Sequence, residues 1–162
     1  MVPKFRAYIR DADDLDYNDI PHKGHFVYGN LIKGGLNYDV DAIVGDLIEV
    51  TDEYVNPEWW CSIEKGSAEQ STGLKDANGK EIYENDILYF ARIWLEGDEY
   101  DPREEDHIGL VKYCSDSAGY VVDCNKQIFP LEQMCSFDGY SVEGNVHENP
   151  ELLEAQHDTR TD

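Results

Sequence analysis

Basic residues are scarce in this 162-residue chain: 13 Lys and Arg stand against 35 Asp and Glu, a formal net charge of −22 at pH 7. A surface of that sign repels nucleic-acid phosphates and anionic membranes, so neither is expected as a direct partner. Long hydrophobic runs are missing too. None approaches the ~20 apolar residues that a membrane-spanning helix needs, and the Met1-Val2-Pro3-Lys4 start has no apolar signal core. Cys61, Cys114, Cys124 and Cys135 form no Cys-x-x-Cys pair, and their spacings of 53, 10 and 11 match no zinc template. They read as free thiols of a reducing cytosol. Glycine-rich nucleotide loops, the P-loop, the nucleophile elbow and His-Glu-x-x-His are all absent, which leaves nucleotide, hydrolase and zinc-protease chemistry without an anchor. His22 and His25 lie beside Pro21 and Gly24 and read as surface loop residues. With so many carboxylates, no single pair can be singled out for acid/base work. The sequence therefore assigns no catalytic, cofactor-binding or metal residue, and no cofactor is expected.

What remains is a folded, β-prone chain. A hydrophobic fraction of 41% with 11 tyrosines argues against disorder despite the charge. Short apolar segments at residues 5–9, 25–32, 43–50, 59–63, 82–95, 108–113, 119–122, 128–131 and 140–146 read as strands separated by turn residues. Their spacing predicts a mainly β fold of antiparallel strands, with a small Src-homology-type barrel over 86–146. A short C-terminal helix follows, with Asn149 as cap and Pro150 at its first position. The expected organisation is one domain over 1–155, divided into an N-terminal β-rich subdomain (1–72) and the barrel (73–148), with a polar tail at 156–162. Residues 11–19 read as an acidic loop. Asp11-Ala12-Asp13-Asp14-Leu15-Asp16 is only superficially a calcium loop, since it lacks the glycine at the sixth position and puts Leu15 where a ligand belongs. Gly45-Asp46-Leu47-Ile48-Glu49-Val50 faintly echoes Asn85-Asp86-Ile87-Leu88-Tyr89-Phe90, forty residues on.

Two places invite a partner. The adjacent Trp59 and Trp60 offer a stacking platform, against the alternative of one indole in the core and one shielding a strand edge. Residues 96–106 carry seven acids and one base, −6 of the −22. Like-charge repulsion and Pro102 make this segment a protruding loop or a mobile excursion between two strands, with Asp98, Glu99, Asp101, Glu104, Glu105 and Asp106 as candidate contacts to a basic partner. Asp76, Asn78 and Gly79, in contrast, form a structural turn: Asp76 and Asn78 bond to the backbone and Gly79 supplies positive φ.

The stretch Gly73-Leu74-Lys75-Asp76-Ala77-Asn78-Gly79-Lys80-Glu81-Ile82-Tyr83-Glu84-Asn85-Asp86-Ile87-Leu88-Tyr89-Phe90 resembles the signature of the YopX family. Pro3-Lys4-Phe5-Arg6-Ala7, Phe26-Val27-Tyr28-Gly29-Asn30-Leu31-Ile32 and Val142-Glu143-Gly144-Asn145-Val146-His147-Glu148-Asn149-Pro150-Glu151-Leu152-Leu153 resemble its other blocks, in the same order. Two departures stand out: Asn85 replaces the usual Gly, and an acidic insertion follows Trp94. The resemblance implies a phage- or prophage-encoded protein of unknown molecular function in the bacterial host cytosol, and it carries no catalytic residue over. The function expected is a non-catalytic protein-binding module acting on a host or phage protein, basic if the charge is used. Two alternatives stay open: an acidic nucleic-acid mimic that inhibits a DNA-binding host protein, and an unrecognised carboxylate-dependent enzyme. Homo-oligomerisation is also left open.

Overall fold

The computed structural model describes residues 4–95, 102–136 and 139–154, of which 92–95, 102–104 and 134–136 are described by backbone alone. The chain divides into two compact units, Met1–Ser71 and Thr72–Asp162. Among the described residues no helix is long and apolar enough to cross a membrane.

The first unit is an antiparallel sheet built from β1 (Phe5–Tyr8), β2 (Phe26–Ile32), β3 (Val40–Val44), β6 (Trp60–Glu64) and the start of β7 (Glu69–Lys75), in the order β6-β3-β2-β1-β7. The intervening β4 (Leu47–Val50) and β5 (Val55–Pro57) form a separate two-stranded hairpin. Strand alternation sends Ala7, Val27, Ile43, Cys61 and Ile63 to one face, where helix α1 (Ala12–Tyr17) adds the buried Leu15. That helix corrects the loop expected at 11–19. Asp11 caps it by accepting the Asp13 N–H (3.1 Å), and Asp13 and Asp14 sit in its first turn, so the acids that suggest a solvated loop complement the positive helix end.

On the other face of this sheet Arg6 of β1 and Glu69 of β7 are both buried, with the Arg6 Nε donating to Glu69 Oε1 at 3.0 Å and its guanidinium 4.4 Å from the centre of the Phe26 ring. Asp41 is a second buried acid. It accepts the Gly66 N–H on Oδ2 and the Gly34 N–H on Oδ1, each at 2.9 Å, and these bonds, helped by Lys33 and Lys65, hold its carboxyl below the ordinary 3.8. A depressed folded-state pKa stabilises above the ordinary value and ceases to do so as pH falls through the folded one. The melting-temperature gap between the wild type and Asp41→Asn should therefore be widest near neutral pH and close as pH drops below 3.8. A gap independent of pH contradicts this assignment.

The second unit holds the end of β7, β8 (Glu81–Tyr83), β9 (Asp86–Leu95), β10 (Pro102–Cys114), β11 (Gly119–Cys124), β12 (Gln127–Pro130), a 3₁₀ helix (Leu131–Ser136) and β13 (Ser141–Asn145), with a helical turn at 151–154. Its five-stranded antiparallel sheet has the order β12-β11-β10-β9-β13 over a core of Ile82, Leu88, Phe90, Val111, Val122, Cys124 and Leu131. The mainly β, antiparallel expectation holds, but the barrel does not close. Buried Leu131 turns the chain into the 3₁₀ helix after only four residues of β12, and β13 pairs with β9, so β12 and β13 remain the two edges of an open sheet.

Two further expectations are revised. Residues 102–106 are not loop but the start of β10, in register with β9 from Pro102↔Leu95 to Asp106↔Ala91. β11 joins β10 only from Leu110, and β13 reaches only to Tyr89 on β9, so this part of the hairpin is a two-stranded ribbon. An acidic strand is tolerated there because, among the described residues, no third strand joins this part of the ribbon and its outer edges stay open to water. The echo between 45–50 and 85–90 also dissolves. Asn85 has φ +68° and Asp86 is buried, accepting the Tyr83 N–H at 2.8 Å, whereas Asp46 is exposed. The left-handed φ explains why Asn stands where glycine is usual, since Asn is among the few residues that tolerate it.

Candidate partner-binding surface

Trp59 and Trp60 sit where the sheet of the first unit becomes a free ribbon. Val44 pairs with Trp60, then the Gly45 N–H donates to the Trp59 carbonyl (3.0 Å) and the Glu58 N–H to that of Asp46 (2.8 Å), leading into β4 and β5. The Trp59 indole lies against Gly45 so closely that a Cβ there would come within 2.5 Å of Nε1, which makes glycine obligatory unless the ring moves. Trp59 is half-buried against the core around Ala7, Leu15 and Ile43. Trp60, on the edge strand β6, is 63% exposed.

Beyond the tryptophans the hairpin presents Leu47, Ile48, Val50, Tyr54 and Val55, each more than half exposed. The cross-strand pairs Leu47↔Pro57 and Val50↔Val55 set apolar residues together on one side, and the register shift between Leu47 and Glu49 inserts Ile48 as a bulge. The tip is well made. Thr51 Oγ1 accepts the N–H groups of Glu53 (3.2 Å) and Tyr54 (3.1 Å), and the Thr51 N–H donates to the Tyr54 carbonyl (2.9 Å). The Tyr54 hydroxyl is bonded to Glu49 across the hairpin, which pushes its pKa up. Around this apolar ribbon stand Asp46, Glu49, Asp52, Glu53 and Glu58, and no Lys or Arg occurs from residue 34 to residue 64. Sequence reasoning places a strand at 43–50 but misses its exposure, because an apolar run reads the same whether or not something covers it; the base-free interval is the signal that could have pointed here.

Two grooves flank Trp59. One, of about 680 Å³, lies between α1 with the loop after it and the Trp59–Trp60 segment; the other, of about 420 Å³, includes Tyr28, Val44 and Lys4.

In the second unit, Asp98, Glu99 and Asp101 fall outside the described residues, and Glu104 is placed on β10 by its backbone. Asp106 is exposed. Glu105 brings Oε1 to 3.2 Å from Nε2 of His107, an ion-pair distance at which the geometry makes no hydrogen bond. His107 is buried between Phe90 (ring centroids 5.1 Å apart) and Phe129 (4.9 Å). The Asp76–Gly79 turn is a clamp. Asp76 Oδ1 accepts the N–H groups of Asn78 (2.9 Å) and Lys80 (2.8 Å), while Oδ2 accepts that of Val142 (3.0 Å) on β13. Gly79 has φ +84° and donates to the Asp76 carbonyl, and Asn78 contributes through its backbone N–H. Among the described residues, no group of three or more His, Cys, Asp or Glu is placed to hold a metal ion.

Comparison with known proteins gives a family and a similar solved structure. The family model described as YopX protein matches residues 33–154, which takes in the exposed hairpin and the Asp76 clamp. Among solved structures, protein EF1440 from Enterococcus faecalis is similar, with a TM-score of 0.53 and 28% sequence identity over 94% of this chain and 99% of that one. No curated protein matches.

Proposed function

The chain belongs to the YopX family, and from that premise we propose that it is a non-catalytic protein-binding module, a phage or prophage accessory protein that works in a bacterial host cytosol by engaging a host or phage protein. The observation that carries this reading is the β4–β5 hairpin. Soluble proteins rarely leave a contiguous apolar ribbon in water unless it serves an interaction. Leu47, Ile48, Val50 and Val55, covered by a partner, would each contribute roughly 1 kcal/mol or more. The surrounding carboxylates suit a partner whose apolar contact is bordered by Lys or Arg and would raise its encounter rate.

Affinity capture from host lysate tests the reading, using the wild type and the variant Ile48→Ser/Val50→Ser/Val55→Ser, each checked for a native circular dichroism spectrum. The partner captured by the wild type should survive a wash at roughly 0.5 M salt, where charge contacts beyond a few Å are screened, and the variant should lose it. If high salt alone releases the partner while the hairpin variant retains it, the acidic-mimic reading replaces this one.

A further inference from the structure

Resting on that reading, we infer that the groove between α1 and Trp59–Trp60 receives a basic side chain of the partner protein, an Arg or Lys carried on a segment with apolar neighbours. Its volume of about 680 Å³ suits a short peptide segment rather than an isolated ion. Ile9, Leu15, Ile20 and Trp59 give it apolar walls, while Asp14, Asp19 and Glu58 stand around it and no Lys or Arg lines it. Among the described residues none of these three carboxylates is paired with a cation, whereas Asp16 on the same helix bonds to His22. The groove on the other side of Trp59 makes the contrast: it shares Trp59 and Glu58 but carries its own cation, Lys4. The base-free groove thus combines what a cation with an aliphatic stem requires, an apolar channel for the stem, indole surface beside it and uncompensated negative charge around the head. An acidic or neutral segment would leave those carboxylates facing like charge or nothing.

The probe is the peptide acetyl-Leu-Arg-Leu-amide, titrated into the ¹⁵N-labelled full chain while the indole N–H signals of Trp59 and Trp60 are followed. Trp59→Phe and Trp60→Phe spectra distinguish these signals from that of Trp94. The Arg peptide should shift both signals saturably, and the Gln and Glu counterparts should bind on the order of tenfold more weakly or not at all. In Asp14→Asn/Asp19→Asn/Glu58→Gln, the Arg peptide should lose on the order of fivefold or more in affinity, with the native circular dichroism spectrum retained. Asn is chosen at position 19 because Asp19 has φ +55°, which Asn tolerates. Equal shifts from the Gln peptide, shifts that survive neutralisation, or no shift with any peptide would each overturn the inference. The two readings part in the lysate experiment: if the neutralised variant captures the partner as well as the wild type does while the hairpin variant fails, the proposed function stands and the basic-side-chain site falls.

Discussion

Glu69→Ala is expected to lower the unfolding free energy of the first unit by about 3–5 kcal/mol, the usual cost of leaving one charge of a buried pair behind. Arg6 and Glu69 are 3% and 2% exposed and meet at 3.0 Å, so removing the carboxylate leaves a guanidinium in a site that water does not reach. The Phe26 ring, 4.4 Å from the guanidinium carbon, faces it with its quadrupole. Replacing both partners by apolar residues, Arg6→Met/Glu69→Leu, should recover most of the loss, because the pair's attraction is largely offset by its own desolvation. Urea unfolding of the three variants measures this directly. A loss below about 1 kcal/mol for Glu69→Ala would mean that Glu69 is not what compensates the buried Arg6 charge.

Asp76→Ala should cost the second unit about 2–4 kcal/mol, since hydrogen bonds to a charged acceptor are worth more than neutral ones and three backbone donors lose theirs together. Two of those donors, Asn78 and Lys80, shape the turn, and the third, Val142, ties it to β13. Asp76→Asn should cost less, because its carbonyl oxygen still accepts while its NH₂ opposes a donor. Gly79→Val should cost about 1 kcal/mol or more through strain at φ +84°. If Asp76→Ala leaves the unfolding midpoint unchanged and removes partner binding, the family signature is a recognition element and the clamp account is wrong.

These residues also show what the sequence makes legible. Asn78-Gly79 announces its turn because the chemistry is local: one residue at positive φ and one short acceptor suffice. The alternation at residues 5–9 likewise identifies β1, although it does not reveal that Arg6, on the polar face, is buried. Barrel closure is illegible because it depends on whether β12 and β13 meet, and buried Leu131 diverts the chain between them. Helix α1 is hidden by its own cap, since Asp11, Asp13 and Asp14 are as natural in a solvated loop as at a helix start. The acidic beginning of β10 has low intrinsic strand preference and is set by register with β9, a non-local cause. The hairpin at 47–57 fails differently: the strand is legible, but its exposure is not, because a sequence says nothing about what covers an apolar run.

The central claim is that the β4–β5 hairpin meets the partner, and site-specific photo-crosslinking in a bacterial host tests it most directly. A photoreactive amino acid replaces Ile48 in one full-length variant and Tyr113, an exposed aromatic of the second unit, in another. The account predicts a discrete adduct with one protein from position 48, none from position 113, and loss of the first adduct when Val50→Ser/Val55→Ser is added. An adduct from position 113 with none from position 48 would contradict it.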